Sequence, residues 1–381
     1  MTVMRCPACK GKVETSVLSC PFCDENIAAD LVEVVKQCRH DALVGDARAQ
    51  CDMGVYVANG TAVDQDFDEA LQWFRLAADQ GVAIAQCNLG VLYGQGKGVP
   101  VDRDEAARWF LAAAEQGDAA AMFYYARYCT QGDKHAEANK WFRSSAELGY
   151  ADAQVELAQR MESDENLDEA IGWFRLAAVQ GSVAAQNRMG EFYAHGRGVP
   201  QDLVESVRWY RAAAEQGNAK AQCALGGCYA NGSGVEQDFV TAVHWFRLAA
   251  DQGSAEAQCN LGACYENGCG VTQDTTEAIG LYRIAAGGGN PRAQCVLGEC
   301  YESGRGAVKD PVEAVRFFRL SAEQSYAPAM FKFGQCYLHG AGIKTDLTEA
   351  LRWFRAAAAK GHVAAADAIA EMMGVSTAAT E

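Results

Sequence analysis

All seven tryptophans of this 381-residue chain stand on one lattice: Trp73, Trp109, Trp141, Trp173, Trp209, Trp245 and Trp353. Their separations are 36, 32, 32, 36, 36 and 108 residues, and the long gap holds three periods, with Leu281 and Phe317 at the two missing positions. A second marker keeps the same step, running Gly54, Gly90, Ala126, Ala158, Gly190, Gly226, Gly262, Gly298 and Gly334. Length alone would suggest two or three domains at roughly 150 residues each. A fixed period in this range instead marks a stack of identical supersecondary units. Nine units are expected over about residues 46–361, two of them four residues short in the same loop.

Each unit reads as two helices joined by a glycine loop. In Ala257-Gln258-Cys259-Asn260-Leu261-Gly262-Ala263-Cys264-Tyr265 the apolar positions 257, 261, 264 and 265 fall on one helical face. Gly268 then ends the helix, because glycine alone adopts the left-handed conformation of a C-terminal cap without steric cost, and Gly270 keeps the connection tight. The second helix starts at Asp274 with Glu277 three residues on, the spacing of a capping box. The same pair recurs as Asp66 and Glu69, Asp102 and Glu105, Asp202 and Glu205, Asp310 and Glu313, and Asp346 and Glu349. The marker glycine is expected to let a neighbouring helix approach closely. The Trp or other aromatic on the second helix is expected to fill the space between one unit and the next. A single unit cannot bury its own apolar face, so stability must come from stacking.

The string A-x-A-Q-C-x-L-G-x-C-Y-x-N-G-x-G-V-x-Q-D, followed by A-x-x-W-F-R-L-A-A-x-Q-G, resembles the Sel-one-like repeat, a relative of the tetratricopeptide repeat. The resemblance covers more than four fifths of the chain. It implies an all-α fold, a right-handed superhelical solenoid of about nine helix-turn-helix repeats, acting as an adaptor for other proteins. The departures are local: residues 127–137 and 159–169 lack the G-x-G-V loop, and Ser325-Tyr326 replaces the usual glycine stop.

The ends read differently. Residues 26–45 align with a second helix and are expected to cap the stack, and residues 362–381 are read as a C-terminal capping helix and tail. Residues 1–25 carry Cys6-Pro7-Ala8-Cys9 and Cys20-Pro21-Phe22-Cys23, two identical knuckles that resemble a zinc ribbon. A two-residue gap lets both sulfurs of a knuckle reach one ion, and four thiolates fill a tetrahedral Zn2+ site with no open position. One structural Zn2+ on Cys6, Cys9, Cys20 and Cys23 is therefore expected, with residues 10–18 forming a short hairpin between the knuckles; redox thiols are the alternative.

The remaining twelve of the sixteen cysteines follow the repeat: Cys51, Cys87, Cys223, Cys259 and Cys295 share one first-helix position, and Cys228, Cys264, Cys300 and Cys336 another. Within the family resembled, a secreted branch pairs a first-helix cysteine with a second-helix one, but here the second helices carry Ala-Ala at that place. The opening residues show no apolar leader, so the expected compartment is a reducing cytosol in which these are buried thiols. Cys269, in a glycine loop, is expected to be the exposed one.

A composition half hydrophobic and 22% charged excludes a disordered chain. A net charge of −16 makes phosphate backbones and anionic lipid poor partners for the whole molecule. The glycine-rich strings follow helices rather than strands, which excludes phosphate-binding loops in their known contexts, and the six histidines are scattered. No constellation supports chemistry, so a non-enzymatic scaffold is expected, with partner proteins of unknown identity, no membrane and no nucleic acid. Two other readings remain: an adaptor in ubiquitin-linked quality control, and a nucleic-acid-associated adaptor acting through the ribbon, for which Arg5, Lys10 and Lys12 supply a weak basic patch.

Internal copies show where recognition would sit, since positions that vary from unit to unit are free of a common packing role. Two such rows lie three residues apart on the first helices and therefore share a face. The first includes Asn88, Tyr124, Glu156, Arg188, Asn260 and Lys332, and the second includes Val55, Val91, Arg127, Gln159, Glu191, Gly227, Ala263, Glu299 and Gln335. In related solenoids the first helices line the concave side, which implies a groove for an extended peptide or helix.

Overall fold

The computed structural model describes residues 3–5, 12–14, 27–163 and 166–372, and divides the chain into two compact units, residues 1–182 and 183–381. The first contains β1 (Val3–Arg5), β2 (Lys12–Glu14) and α1 (Ile27–Leu43), followed by four helix pairs. These are α2 (Ala47–Asn59) with α3 (Phe67–Asp79), α4 (Ala83–Gln95) with α5 (Arg103–Glu115), α6 (Ala119–Gln131) with α7 (His135–Glu147), and α8 (Ala151–Ser163) with α9 (Leu167–Val179). The second contains α10 (Val183–His195) with α11 (Leu203–Glu215), α12 (Ala219–Asn231) with α13 (Phe239–Asp251), and α14 (Ala255–Asn267) with α15 (Thr275–Gly287). It ends with α16 (Pro291–Ser303) and α17 (Pro311–Glu323), α18 (Ala327–His339) and α19 (Leu347–Ala359), and α20 (Val363–Met372). The fold is a helical repeat array, as the lattice predicted.

Within each pair the marker glycine closes on one ring. A Cβ added at Gly54, Gly90, Gly298 or Gly334 would lie 2.5–2.7 Å from a ring carbon of Phe74, Phe110, Phe318 or Phe354 respectively. That ring belongs to the residue after the lattice position, which the sequence reading had given no role. Phe142, Phe174, Phe318 and Phe354 are essentially inaccessible, whereas Trp109 is only half-buried. The lattice aromatics do span units as expected: Trp109 packs against the core built by α2, α3 and α4, and Trp245 against the core built by α11 and α12.

The loops carry a second between-unit contact. Gly60, Gly96, Gly232, Gly268, Gly304 and Gly340 end their first helices in the left-handed conformation. The second loop glycine does more than tighten the turn. A Cβ on Gly98 would sit 2.5 Å from the Phe67 carbonyl oxygen, and on Gly234, Gly270 and Gly342 2.0–2.2 Å from those of Leu203, Phe239 and Pro311. Each loop thus lies directly on the first residue of the preceding unit's second helix.

The capping boxes form by halves. Asp66, Asp102, Asp274, Asp310 and Asp346 each accept backbone N–H groups of the first turn at 2.9–3.1 Å. The reciprocal bond from the glutamate is absent among the described residues, because the aspartate N–H already donates to a first-helix carbonyl, as Asp102 does to Tyr93 at 3.0 Å. Glu105, Glu205, Glu313 and Glu349 pair instead with an arginine one turn on, and Glu69 pairs with Arg39 of α1.

One polar element runs through the apolar interior. Gln50, Gln86, Gln154, Gln222, Gln258 and Gln294 donate from Nε2 to the last turn of the preceding second helix, at Ala42, Ala78, Ala146, Ala214, Ala250 and Ala286, over 3.1–3.3 Å. Most of these glutamines also accept from the C-terminal Gln of their own unit: Gln80 to Gln50, Gln116 to Gln86, Gln180 to Gln154, Gln252 to Gln222 and Gln324 to Gln294, at 2.7–2.8 Å. A buried amide needs such partners. Helix α1 stands where a second helix would, supplying Ala42 to Gln50.

Candidate protein-binding site

Clefts open between successive first helices, and the two variable rows line them. One of about 270 Å³ is walled by Val55, Asn88 and Val91 with Asn59, Phe67 and Lys97. A second, of about 230 Å³, takes Tyr124 and Arg127 together with Arg103, Phe110, Tyr128 and Gln131. A third, of about 410 Å³, takes Gly227, Asn260 and Ala263 with Asn231, Asn267, Cys269 and Arg292. Helical spacing brings the rows to one face, and the stacking of units turns that face into repeated depressions.

Several expected contact residues are already engaged. Glu156 pairs with Arg160 at 3.0 Å, Lys332 with Glu302 at 3.2 Å across adjacent units, and Arg188 with Glu191. Arg188 also lies over the Phe192 ring at 4.9 Å. Gln159 is exposed, while Glu299 and Gln335 are half-buried. Arg127 differs: it is exposed, faces only the Phe123 ring at 5.8 Å, and forms no ion pair among the described residues.

The rows missed the far wall of each cleft. Asn59, Gln131, Asn231 and Asn267 are the last or next-to-last residues of first helices, and Arg103 is the first residue of a second helix. All vary between units, so the same internal comparison extended to helix ends would have found them. Aromatic stacking thickens the second cleft: Phe110 and Tyr124 stack at 5.1 Å, and Tyr125 and Tyr128 at 6.2 Å.

The twelve repeat cysteines are free thiols, nine of them buried. Burial pushes Cys87, Cys223 and Cys295 up to about 12, so each is a neutral thiol packing as a small apolar group. Cys269 is half-exposed, on the cleft it shares with Cys264.

The expected zinc ligands Cys6, Cys9, Cys20 and Cys23 lie outside the described residues. The strands beside them pair antiparallel, Val3 with Glu14, Met4 with Val13 and Arg5 with Lys12. Of the expected hairpin over residues 10–18 only residues 12–14 are described, and these pair with residues 3–5; the rest lies outside the described residues. Among the described residues no group of three or more His, Cys, Asp or Glu could hold a metal, and no helix is long and apolar enough to cross a membrane.

The Sel1 repeat model matches nine consecutive segments: residues 47–82, 83–118, 119–150, 151–182, 183–218, 219–254, 255–290, 291–326 and 327–362. Among solved structures, a protective antigen of uropathogenic Escherichia coli with an SLR fold is 31% identical, over 91% of this chain and 76% of that one, with a TM-score of 0.77. A Sel1 repeat protein from Oxalobacter formigenes is 28% identical over 95% of this chain and 97% of that one, with a TM-score of 0.52. No curated protein matches.

Proposed function

Because the chain belongs to the Sel1 repeat family, we propose that it is a non-enzymatic scaffold that binds partner proteins on the first-helix face of its repeats. The observation that carries this reading is the coincidence of the two variable rows with the clefts between units. A merely solvated face would give no reason for the varying residues to converge on depressions. The clefts are shallow, lined by amides, small residues and aromatic edges, and suit an extended segment whose side chains enter successive units. Val91→Glu with Ala263→Glu places a charge in two clefts at half-buried positions. Capture from native lysate should lose the partners that wild type retains, with an unchanged thermal melt. Recovery of the same set by both proteins would defeat the reading.

The amino-terminal segment adds a second element to the proposal: one structural Zn2+ held by Cys6, Cys9, Cys20 and Cys23. What supports it is the spacing of two identical Cys-Pro-x-Cys knuckles, each able to bring two thiolates to one ion. The ion would supply a closed tetrahedral crosslink and no catalysis. Metal analysis of the reduced protein should find about one zinc per chain, lost in Cys6→Ser; a metal-free wild type would overturn it. The neutral thiols of the repeats fit a cytosolic setting, and fractionation of cells expressing the protein tests that location.

A further inference from the structure

We infer that the cleft between α4–α5 and α6 binds an acidic segment of a partner protein, with a carboxylate entering between Arg103 and Arg127. The inference rests on reading the first-helix face as a protein-binding surface, and it assigns that surface a ligand chemistry.

The opening of this cleft follows from the irregular spacing of the lattice. In regular units the loop glycine lies on the first residue of the preceding second helix, as Gly98 does on Phe67, Gly234 on Leu203 and Gly270 on Phe239. Those first residues are apolar, with the loop over the backbone and the Leu203 and Phe239 side chains still exposed. The unit that follows α5 is one of the two shortened ones, passing from Gln131 to His135 through Gly132-Asp133-Lys134 alone. No loop glycine rests on the first residue of α5, and that residue is Arg103, exposed and lining the cleft.

The charge balance is local. Arg103 and Arg127 have no carboxylate partner among the described residues, in a chain whose net charge is −16. Elsewhere on the first helices Arg160, Arg188 and Lys332 are each paired with a glutamate. The two carboxylates flanking Arg103 are engaged otherwise, Asp102 capping α5 at 2.9–3.1 Å and Asp104 accepting the Tyr128 hydroxyl at 2.8 Å, and Glu105 is taken by Arg108. Two unsatisfied guanidiniums facing one depression offer forked donors to a carboxylate, and Phe110, Tyr124 and Tyr128 present ring surface for the neighbouring aliphatic stem.

The full-length protein is titrated with a fluorescent glutamate-rich peptide and with its glutamine counterpart, at low and high salt. The glutamate peptide should bind, more weakly at high salt, and the glutamine peptide should not. Arg103→Gln with Arg127→Gln, both at exposed positions that leave folding intact, should weaken glutamate-peptide binding about tenfold or more, and lysine at both positions should restore part of it. Equal binding of the two peptides, or full glutamate-peptide binding by the double glutamine variant, overturns the assignment. Ala263→Glu alone separates the two readings, because Ala263 lines a different cleft. Partner capture lost in that variant while the arginine pair proves inert keeps the face and removes this ligand. Capture unaffected by it and by the double glutamine variant removes the face itself.

Discussion

The regular units and the two shortened ones, residues 119–150 and 151–182, solve the same packing problem with different parts. In a regular unit such as 291–326, Gly298 admits the Phe318 ring, and Gln294 and Gln324 bond in the interior. In the shortened unit 119–150 the marker is Ala126, the loop is gone, and Met122 and Leu148 stand where the two glutamines would be. Yet Phe142 is as thoroughly buried as Phe318. The apolar ring within a unit is thus the common requirement. The loop belongs to the contact between units and is missing from both shortened ones, whereas the glutamine pair lies within a unit, is kept as Gln154 and Gln180 in the other shortened unit, and is replaced in unit 119–150 without opening the core.

The largest effect should come from the shared part. Phe318→Ala and Phe142→Ala should each destabilise by about 3–5 kcal/mol, measured as a shift of the urea midpoint. Trp109→Ala should cost clearly less, because the indole is half-buried. A Trp109 loss equal to the phenylalanine losses would show that between-unit packing matters as much as packing within a unit.

Marker residues come next, and the comparison predicts opposite preferences. Gly298→Ala puts a Cβ 2.5 Å from the Phe318 ring, an overpacking cost of about 1–3 kcal/mol that outweighs the roughly 1 kcal/mol gain in helix propensity. Ala126→Gly loses about 1 kcal/mol of propensity with no clash relieved. Both should lower the urea midpoint, and a stabilised Gly298→Ala would mean that the ring yields easily.

What was readable in the sequence divides along the same line. Period, helix ends and loop glycines were legible because each rests on local chemistry: Asp caps a helix start, glycine takes a left-handed end, and Trp or glycine recurs in register. Contacts between units were less legible. Phe110 and Trp109 are adjacent and both aromatic, so a helical pattern cannot say which one meets the glycine. Gln222 looked like a surface residue until its neighbours Ala214 and Gln252 were seen. Its signal was available, since a polar residue fixed between Ala and Cys in most copies has no reason to recur on a solvated face. Arg103 was missed for another reason: only first helices were compared. The metal ligands remain a matter of spacing alone.

Smaller again is the glutamine pair. Gln222→Met removes the bonds to Ala214 and from Gln252 and should cost about 1 kcal/mol. Adding Gln252→Leu reproduces the Met122 and Leu148 combination, so the double variant should lose less than the sum of the singles in a mutant cycle. Strict additivity would mean that the two glutamines act independently.

The smallest effect concerns helix ends. Second helices stop on Gly81, Gly117, Gly149, Gly181, Gly217, Gly253, Gly289 and Gly361 at φ between 84° and 95°, but one stops on Ser325 at φ 65°. A left-handed backbone costs a side chain about 1–2 kcal/mol, while glycine forfeits part of that gain through the entropy of the unfolded chain. Ser325→Gly should therefore stabilise by about 0.5 kcal/mol, with the bonds from Ser325 and Tyr326 to Ala322 and Ser321 retained. The shortened unit provides the control, because Asp133 sits at φ 57° at the end of its first helix. An aspartate tolerates this region through local hydrogen bonding better than serine does, so Asp133→Gly should gain less. Hydrogen exchange of the flanking amides resolves so small a difference, and a larger gain at Asp133 would place the strain in the shortened loop.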